Sequence, residues 1–259
     1  MAKKYKKSPP RLTRIWNNLD FGFCHFSANL LAEMAYSLFD IAGPVMIGPS
    51  SSHTAGAVKI GQFARAVFDR TPKKVTFYMH GSFATVTAGH ATDKALMAGI
   101  MKFKTSDPLI KDALNIAKKL GIEYKFAKTD LGPEYHPNTV KIVLEAPGKK
   151  SMEVIGSSIG GGSARIVKIN DFDVDIKAIA GKYKYLVISH SNDSAVLTEV
   201  LQKITKFDKY YIAGIQSAHI DNHSLTILNL EGRDLTLKEV IELTKIKGVE
   251  FVRSLTKLD

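Results

Sequence analysis

The order of strand-like and helix-like segments in the last third of the chain is the feature that most constrains its fold. From Tyr183 onward, stretches of alternating hydrophobicity and stretches of helical periodicity follow one another. They predict strand 183–189, helix 194–205, strand 209–216, strand 223–230, helix 236–246 and strand 249–254. This β-α-β-β-α-β order is the ferredoxin-like arrangement. The sequence therefore predicts a C-terminal ferredoxin-like domain over residues 183–259, in a protein of the α+β class.

A mixed series of helices and strands precedes this domain. Strands are predicted to end at His80 and to cover 122–127, 139–146, 151–156 and 164–169. Helices are predicted to start near Thr54, to start again with Thr92 or Asp93 as the cap, and to end at Gly121. The three glycines 160–162 predict a tight hairpin or a bulge. The stretch 170–182 contains three aspartates and is predicted to be the linker, which leaves 34–175 as a mixed α/β domain.

The first 33 residues differ from the rest of the chain. They hold four lysines and two prolines within the first ten positions, followed by an irregular mix of aromatic and polar residues. We expect residues 1–33 to be a basic, disordered extension. Met34 stands just before the first segment with domain-like composition, so translation from Met34 is a hypothesis that mass spectrometry of the native N-terminus would test.

Composition excludes several classes of function. The formal net charge is +11, yet residues 183–259 carry ten basic and ten acidic side chains, so the charge is not spread evenly. No stripe of lysine and arginine is interleaved with aromatic residues, and we do not expect nucleic acid as a partner. No apolar run reaches the roughly 18 residues of a membrane span. Cys24 is the only cysteine, which excludes an intrachain disulfide. We expect a soluble, cytoplasmic protein.

Residues 47–57, Ile-Gly-Pro-Ser-Ser-Ser-His-Thr-Ala-Gly-Ala, place hydroxyl groups and an imidazole at the start of a predicted helix. The N–H groups of a helix start are unpaired and carry a partial positive charge, so they bind anions. One serine is enough to cap such a helix. Because Ser50, Ser51 and Ser52 exceed that need, the stretch predicts a binding site for a carboxylate or a phosphate.

Five motifs, together with the C-terminal segment, resemble the beta subunit family of bacterial iron–sulfur L-serine dehydratases. They are residues 48–56, 78–84, 89–95, 136–139 and 158–162, which occur in the family's order. The C-terminal segment resembles the ACT domain of the same family. The resemblance covers about residues 34–259 and leaves the first 33 unexplained.

The resemblance implies half of an enzyme. The family converts L-serine to pyruvate and ammonia with a [4Fe–4S] cluster that a cysteine-rich alpha subunit holds. That cluster is implied to act as a Lewis acid on the serine hydroxyl. A chain with a single cysteine cannot supply the ligands of such a cluster alone, so they are expected from the partner, and no metal ligand is expected here.

The resemblance also implies roles for particular residues. The hydroxyl groups that hold the substrate carboxylate, or a partner segment in the same pocket, are Ser50, Ser51, Ser52 and Thr54. The histidines that transfer protons are His53 and His90, and the residues that support the site from around it are Asp93, His136 and Asn138.

Alternatives stay open at this point. Structural roles suffice for the same residues: His53 as a cap, His90 as a buried histidine, and His136 as part of a His-Pro turn. The same kind of domain paired with an ACT segment also resembles the allosteric region of some phosphoglycerate dehydrogenases, which would make the chain a regulatory module that binds a small anion or an amino acid. The loop 191–194 lacks the Pro-Gly pair of many effector-binding ACT domains. Effector binding and homodimerisation therefore both remain open for the C-terminal domain.

Overall fold

The first sheet is formed by six strands. The structure, a computed structural model, describes residues 46–85, 91–178 and 184–255. Within these residues the strands lie in the spatial order β2-β1-β3-β4-β5-β6. They are β1 (Lys74–Met79), β2 (Glu123–Lys128), β3 (Thr139–Ala146), β4 (Lys149–Gly160), β5 (Ser163–Ile169) and β6 (Phe172–Ala178). β1 and β2 pair in parallel, and the other neighbours pair antiparallel. The strands predicted in this region are confirmed.

Strand β6 lies in the stretch 170–182, so the prediction that this stretch is a linker is wrong for most of its length. Val174 and Ile176 point into the core, where they are 8% and 0% exposed. The acidic residues that suggested a linker alternate with them on the outer face. One of these, Asp175, accepts a hydrogen bond at 2.7 Å from Nε of Arg165 on β5. Buried and exposed side chains therefore alternate along this stretch, as in a strand with one buried face, although its composition is acidic.

Helices pack against this sheet. They are α1 (Ala57–Phe68), α2 (Gly81–Thr85), α3 (Thr92–Ile100) and α4 (Ala113–Lys119), and a 3₁₀ turn (Pro108–Asp112) leads into α4. Gly121 has the left-handed φ of 68° predicted for the end of α4. The capping prediction for α3 is wrong, because its N-cap is Ala91 at φ 55°, with no side-chain cap. Thr92 already lies inside the helix and is fully buried.

The C-terminal segment forms a second sheet with two helices. Its elements are β7 (Lys184–Ser191), α5 (Ser194–Thr205), β8 (Tyr210–Ile220), β9 (His223–Gly232), α6 (Leu237–Thr244) and β10 (Val249–Leu255). The strands are ordered β10-β7-β9-β8, and all neighbours are antiparallel. The ferredoxin-like arrangement and the α+β class are confirmed.

The two central strands of the second sheet, β7 and β9, are buried on both faces. One face packs under α5 and α6 through residues that include Leu186, Ile188, Val200, Leu228 and Leu243. On the other face, Val187, Leu225, Ile227 and Leu255 join the hydrophobic core of the first sheet and of α1. Both sheets belong to one compact unit, Asp40–Asp259. The division into domains 34–175 and 183–259 stays a prediction. In the described part of the chain, every helix is too short or too polar to cross a membrane.

Candidate functional site

The serine-rich stretch forms a π-helical turn that runs directly into α1. The turn covers Ser51–Gly56 and is capped by Ser50, which is in an extended conformation. Ser50 Oγ accepts a hydrogen bond at 3.3 Å from the backbone N–H of His53, and the carbonyl of Ser50 accepts one at 2.8 Å from Thr54. The helical stretch therefore starts three residues before the predicted position. Single π-helical turns are rare and frequently lie at functional sites.

Two glycines fix where this turn can lie. A Cβ atom on Gly48 would stand 2.2 Å from Oγ1 of Thr54, and a Cβ atom on Gly56 would stand 2.1 Å from Oγ of Ser158 on β4. Neither position can hold a side chain without moving a neighbour. The spacing of the motif thus follows from close backbone approach at both ends of the turn.

The hydroxyl groups of the turn differ in exposure. Ser50, Ser51, Ser52 and His53 are half-buried, so a ligand in solvent can reach them. Thr54 is only 1% exposed, and its Oγ1 has no hydrogen-bond partner in the described part of the chain. A buried hydroxyl without a partner is unfavourable. Thr54 is therefore able to contact only a ligand that reaches under the turn.

The imidazole of His53 is held between two serines. Its Nδ1 lies 3.4 Å from Oγ of Ser50, and its Nε2 lies 3.2 Å from Oγ of Ser82 on α2. The ring of Phe83 packs edge-on against it with the ring centroids 5.3 Å apart. Both ring nitrogens consequently have a hydroxyl group within hydrogen-bonding distance, and an aromatic ring restricts rotation of the imidazole.

This environment distinguishes His53 from the other histidines that the structure describes. Nδ1 of His80 accepts a hydrogen bond from the backbone N–H of Leu131 at 3.1 Å, which protonation at that nitrogen would break. His190 is 2% exposed, and its Nδ1 lies 2.7 Å from the carbonyl oxygen of Ser191. A carbonyl can only accept and an amide can only donate, whereas a hydroxyl does both. In the described region, His53 is the histidine with a hydroxyl at each ring nitrogen, and it suits proton transfer.

The loop before β3 connects the parts of the site. The carbonyl of Pro137 accepts a hydrogen bond at 2.8 Å from the N–H of Ser82, and the carbonyl of Asn138 accepts one at 2.9 Å from the N–H of Ser158. His136 is exposed, and its Nδ1 accepts from the N–H of Asn138 at 3.1 Å. Residues 136–138 thus tie α2 and β4 to each other beside the serine turn, through backbone groups.

Asp93 and His90 are the remaining predicted site residues. Asp93 accepts a hydrogen bond at 2.8 Å from the N–H of Lys94 within the first turn of α3. His90 lies outside the described residues, so its role as a proton-transfer group stays a prediction. The same holds for the binding roles of the four hydroxyl residues.

Sequence reasoning missed Ser82 and Ser158. Both stand in motif stretches, 78–84 and 158–162, but an isolated serine gives no sign of what its hydroxyl contacts. The structure shows that Ser82 contacts His53, and that Ser158 is fully buried with an Oγ that lacks a hydrogen-bond partner among the described residues. Their roles become visible only from the tertiary contacts that bring α2 and β4 next to the serine turn.

The donor set of this chain does not fit a resident metal cluster. No group of three or more histidine, cysteine, aspartate or glutamate side chains converges in the described residues. The single cysteine, Cys24, lies outside them. An iron–sulfur cluster needs about four cysteine thiolates.

Comparisons with known proteins agree on one family. The sequence model of the serine dehydratase beta chain family matches residues 37–127. The L-serine dehydratase beta chain of Peptoniphilus asaccharolyticus is 39% identical over 215 residues, which cover 83% of this chain and 94% of that protein. The probable L-serine dehydratase beta chain of Bacillus subtilis is 38% identical over 195 residues, which cover 75% of this chain and 86% of that protein.

Two solved structures resemble parts of the chain more distantly. The ACT domain of GTP pyrophosphokinase from Chlorobium tepidum is 19% identical, with a TM-score of 0.24. The match covers 28% of this chain and 96% of that domain. The C-terminal domain of MgtC from Mycobacterium tuberculosis is 18% identical, with a TM-score of 0.25. The match covers 30% of this chain and 93% of that domain. The fold of the C-terminal segment rests on its strand order and not on these likenesses.

Proposed function

Because this chain belongs to the family of L-serine dehydratase beta chains, we propose that it is one half of a two-chain enzyme that converts L-serine to pyruvate and ammonia. In this reaction L-serine loses the proton on Cα and its hydroxyl group as water. The resulting aminoacrylate tautomerises to an imine, which takes up water and releases ammonia to give pyruvate. The proposed partner is an alpha chain rich in cysteine.

The observation that carries this proposal is the pair of hydroxyl groups around His53. The elimination needs a group that takes up one proton and gives it back in each turnover. His53 can do so without losing a hydrogen bond, because Ser50 and Ser82 can each accept from or donate to the ring. A positioned acid or base contributes roughly 10²–10⁴ in rate. His90 is the second proposed proton-transfer residue.

The serine turn is proposed to bind the carboxylate of the substrate. Ser51 and Ser52 are half-buried at the start of the helical stretch, where the N–H groups and the helix dipole favour an anion. The dipole contributes about 0.3–1 kcal/mol to an exposed anion and up to about 2 kcal/mol in a partly buried site. The turn should therefore control mainly substrate binding, while His53 controls turnover.

The metal chemistry is assigned to the partner. Since the donor set of this chain does not fit a cluster, we propose that the alpha chain holds a [4Fe–4S] cluster, which when bound supplies a Lewis acid for the departing hydroxyl group. The contribution of this chain is to bind and orient L-serine and to move protons.

The first experiment compares two anaerobic purifications. One contains this chain alone, and the other contains this chain co-expressed with a neighbouring cysteine-rich chain. Pyruvate formed from L-serine is measured in both, and light scattering reports the composition of the complex. We expect pyruvate only from the co-purified complex.

The outcome distinguishes the enzyme from the regulatory alternative. Pyruvate from this chain alone would contradict the two-chain assignment. A stable complex with an intact cluster spectrum but without pyruvate formation would overturn the proposed activity. In that case binding of amino acids to this chain, measured by calorimetry, would test the regulatory role.

A further inference from the structure

Ser82 contacts His53 from a part of the chain that is distant in sequence. It lies 29 positions after His53, in the first turn of α2. Its backbone N–H donates to the carbonyl of Pro137 at 2.8 Å, which fixes the position of the main chain at this turn. Its Oγ is directed at Nε2 of His53 at 3.2 Å. The hydroxyl is therefore presented to the ring from an anchored segment of backbone.

The other nitrogen of the ring is contacted from within the serine turn. Ser50 Oγ accepts from the N–H of His53 and lies 3.4 Å from its Nδ1, so its own proton is available to the ring. A neutral imidazole needs one donor and one acceptor, and an imidazolium needs two acceptors. Two hydroxyl groups that rotate satisfy both states in the same geometry.

We propose that Ser82 is a positioning residue that holds Nε2 of His53 in one orientation while the ring gains and loses a proton. Ser50 belongs to the same turn as His53, whereas Ser82 reaches Nε2 from α2, a separate element of the fold. The edge of Phe83 limits rotation but supplies no hydrogen bond. Ser82 thereby connects the serine turn to α2. This inference rests on the proposed proton-transfer role of His53.

The test uses three variants and two measurements. Ser82→Ala removes the hydroxyl, and Ser82→Thr keeps it. Thr85→Ala is the matched control, because Thr85 lies in the same short helix and its Oγ1 donates to backbone carbonyls, of Gly81 at 3.4 Å and of Ser82 at 3.2 Å, and not to His53.

The first measurement does not depend on catalysis. The purified chain is labelled with ¹⁵N in its histidine rings, and the resonances of His53 are identified by their loss in His53→Gln. The resonances of Nδ1 and Nε2 report which nitrogen carries the proton. We expect Ser82→Ala to change the balance between the two tautomers, and Ser82→Thr and Thr85→Ala to retain the wild-type pattern. Unchanged ring resonances in Ser82→Ala would overturn the proposal, whatever the enzyme assay shows.

The second measurement uses the assembled two-chain enzyme. Ser82→Ala should lower kcat about tenfold, which corresponds to about 1.4 kcal/mol in the transition state and is within the range for loss of one hydrogen bond. KM should change less than about twofold, and the pH at which kcat is half-maximal should move. Ser82→Thr should restore most of kcat. If Ser82→Thr is as impaired as Ser82→Ala while its ring resonances are normal, the positioning role is wrong. Inactivity of the wild-type complex would instead contradict the proposed function and leave the resonance test decisive.

Discussion

The carbonyl oxygen of Val67 accepts a hydrogen bond at 3.2 Å from Nε of Arg253, which stands 186 positions later in the chain. Val67 lies in the last turn of α1, the helix that continues the serine turn, and Arg253 lies on β10 of the C-terminal sheet. A cation at the carbonyl end of a helix is favourable, because the last carbonyls have no partner within the helix. The same guanidinium lies 3.5 Å from Asp69. The C-terminal sheet thus stabilises the far end of the helix that carries the candidate site.

Replacing Arg253 should therefore destabilise the protein more than replacing an ordinary surface cation. The side chain of Arg253 is 19% exposed, and Arg253→Met removes a charged donor from carbonyl groups that stay in place. We expect a loss of about 1–3 kcal/mol in the free energy of unfolding, measured in urea. Lys74→Met is the matched control: Lys74 pairs with Glu145, but its side chain is 50% exposed, and a loss below about 1 kcal/mol is expected. Equal losses in the two variants would contradict the role of Arg253.

Strong periodicity made most elements predictable. The buried residues Val75, Phe77 and Met79 alternate along β1, and the C-terminal segment shows both periods clearly. Prediction failed where the local composition favours a different structure from the one that the tertiary contacts stabilise. The three aspartates in 170–182 suggested a linker where the structure has β6. The N-cap of α3 is Ala91 in a left-handed conformation, and not Thr92 or Asp93 as expected.

The position of the serine turn at a helix start was predictable, but its contacts were not. The cluster of serines with His53 marked a helix start in the sequence, and the structure places it there. The partner of His53 across the site, Ser82, depends on how α2 packs beside the turn. No local pattern encodes that packing, because it joins residues that are distant along the chain.

The close approach of the serine turn to β4 gives a second prediction. Gly56→Ala places a Cβ atom 2.1 Å from Oγ of Ser158, and both residues are fully enclosed. Overpacking of this kind costs typically about 1–3 kcal/mol, and it should also displace the turn. Ser158→Gly removes the opposing atoms, so the double variant should be more stable than additivity of the two single variants predicts. Gly214→Ala serves as the control, since the nearest atom to its Cβ would be at 3.5 Å. If the stability changes of the two single variants, measured by thermal unfolding, simply add in the double variant, the contact between residues 56 and 158 is refuted.

The proposed proton-transfer role of His53 gives a third prediction. His53→Ala in the assembled enzyme should lower kcat by about 10²–10⁴ while the cluster spectrum of the complex stays intact. His223→Gln is a suitable control, because His223 is 60% exposed and pairs with Glu250 in the C-terminal sheet. The control should keep kcat within about twofold. A His53→Ala enzyme with wild-type kcat would remove His53 from the reaction.

The proposed carboxylate site gives a fourth prediction, with a different kinetic signature. Ser51→Ala should raise the KM for L-serine about 3- to 10-fold, the loss expected for one hydrogen bond, and should change kcat little. Ser151→Ala, in the exposed start of β4, is the matched control and should leave both constants unchanged. A lower kcat at unchanged KM would mean that Ser51 acts in the chemical step and not in binding.

The start of α6 gives a prediction about pH. Hydrogen bonds from Arg233, and then from the N–H and hydroxyl of Thr236, lower the pKa of Glu239 from 4.5 to about 2 despite its burial. Because the folded protein binds this proton more weakly than the unfolded chain, the stabilisation is complete above about pH 5 and is lost as pH falls towards 2. Glu239→Gln should therefore lower the unfolding temperature at pH 6, and the difference from wild type should shrink at pH 3. Glu242→Gln, in the same helix, is the control for replacing a carboxylate by an amide. A difference for Glu239→Gln that is equal at both pH values would mean that the cap stabilises α6 without its charge.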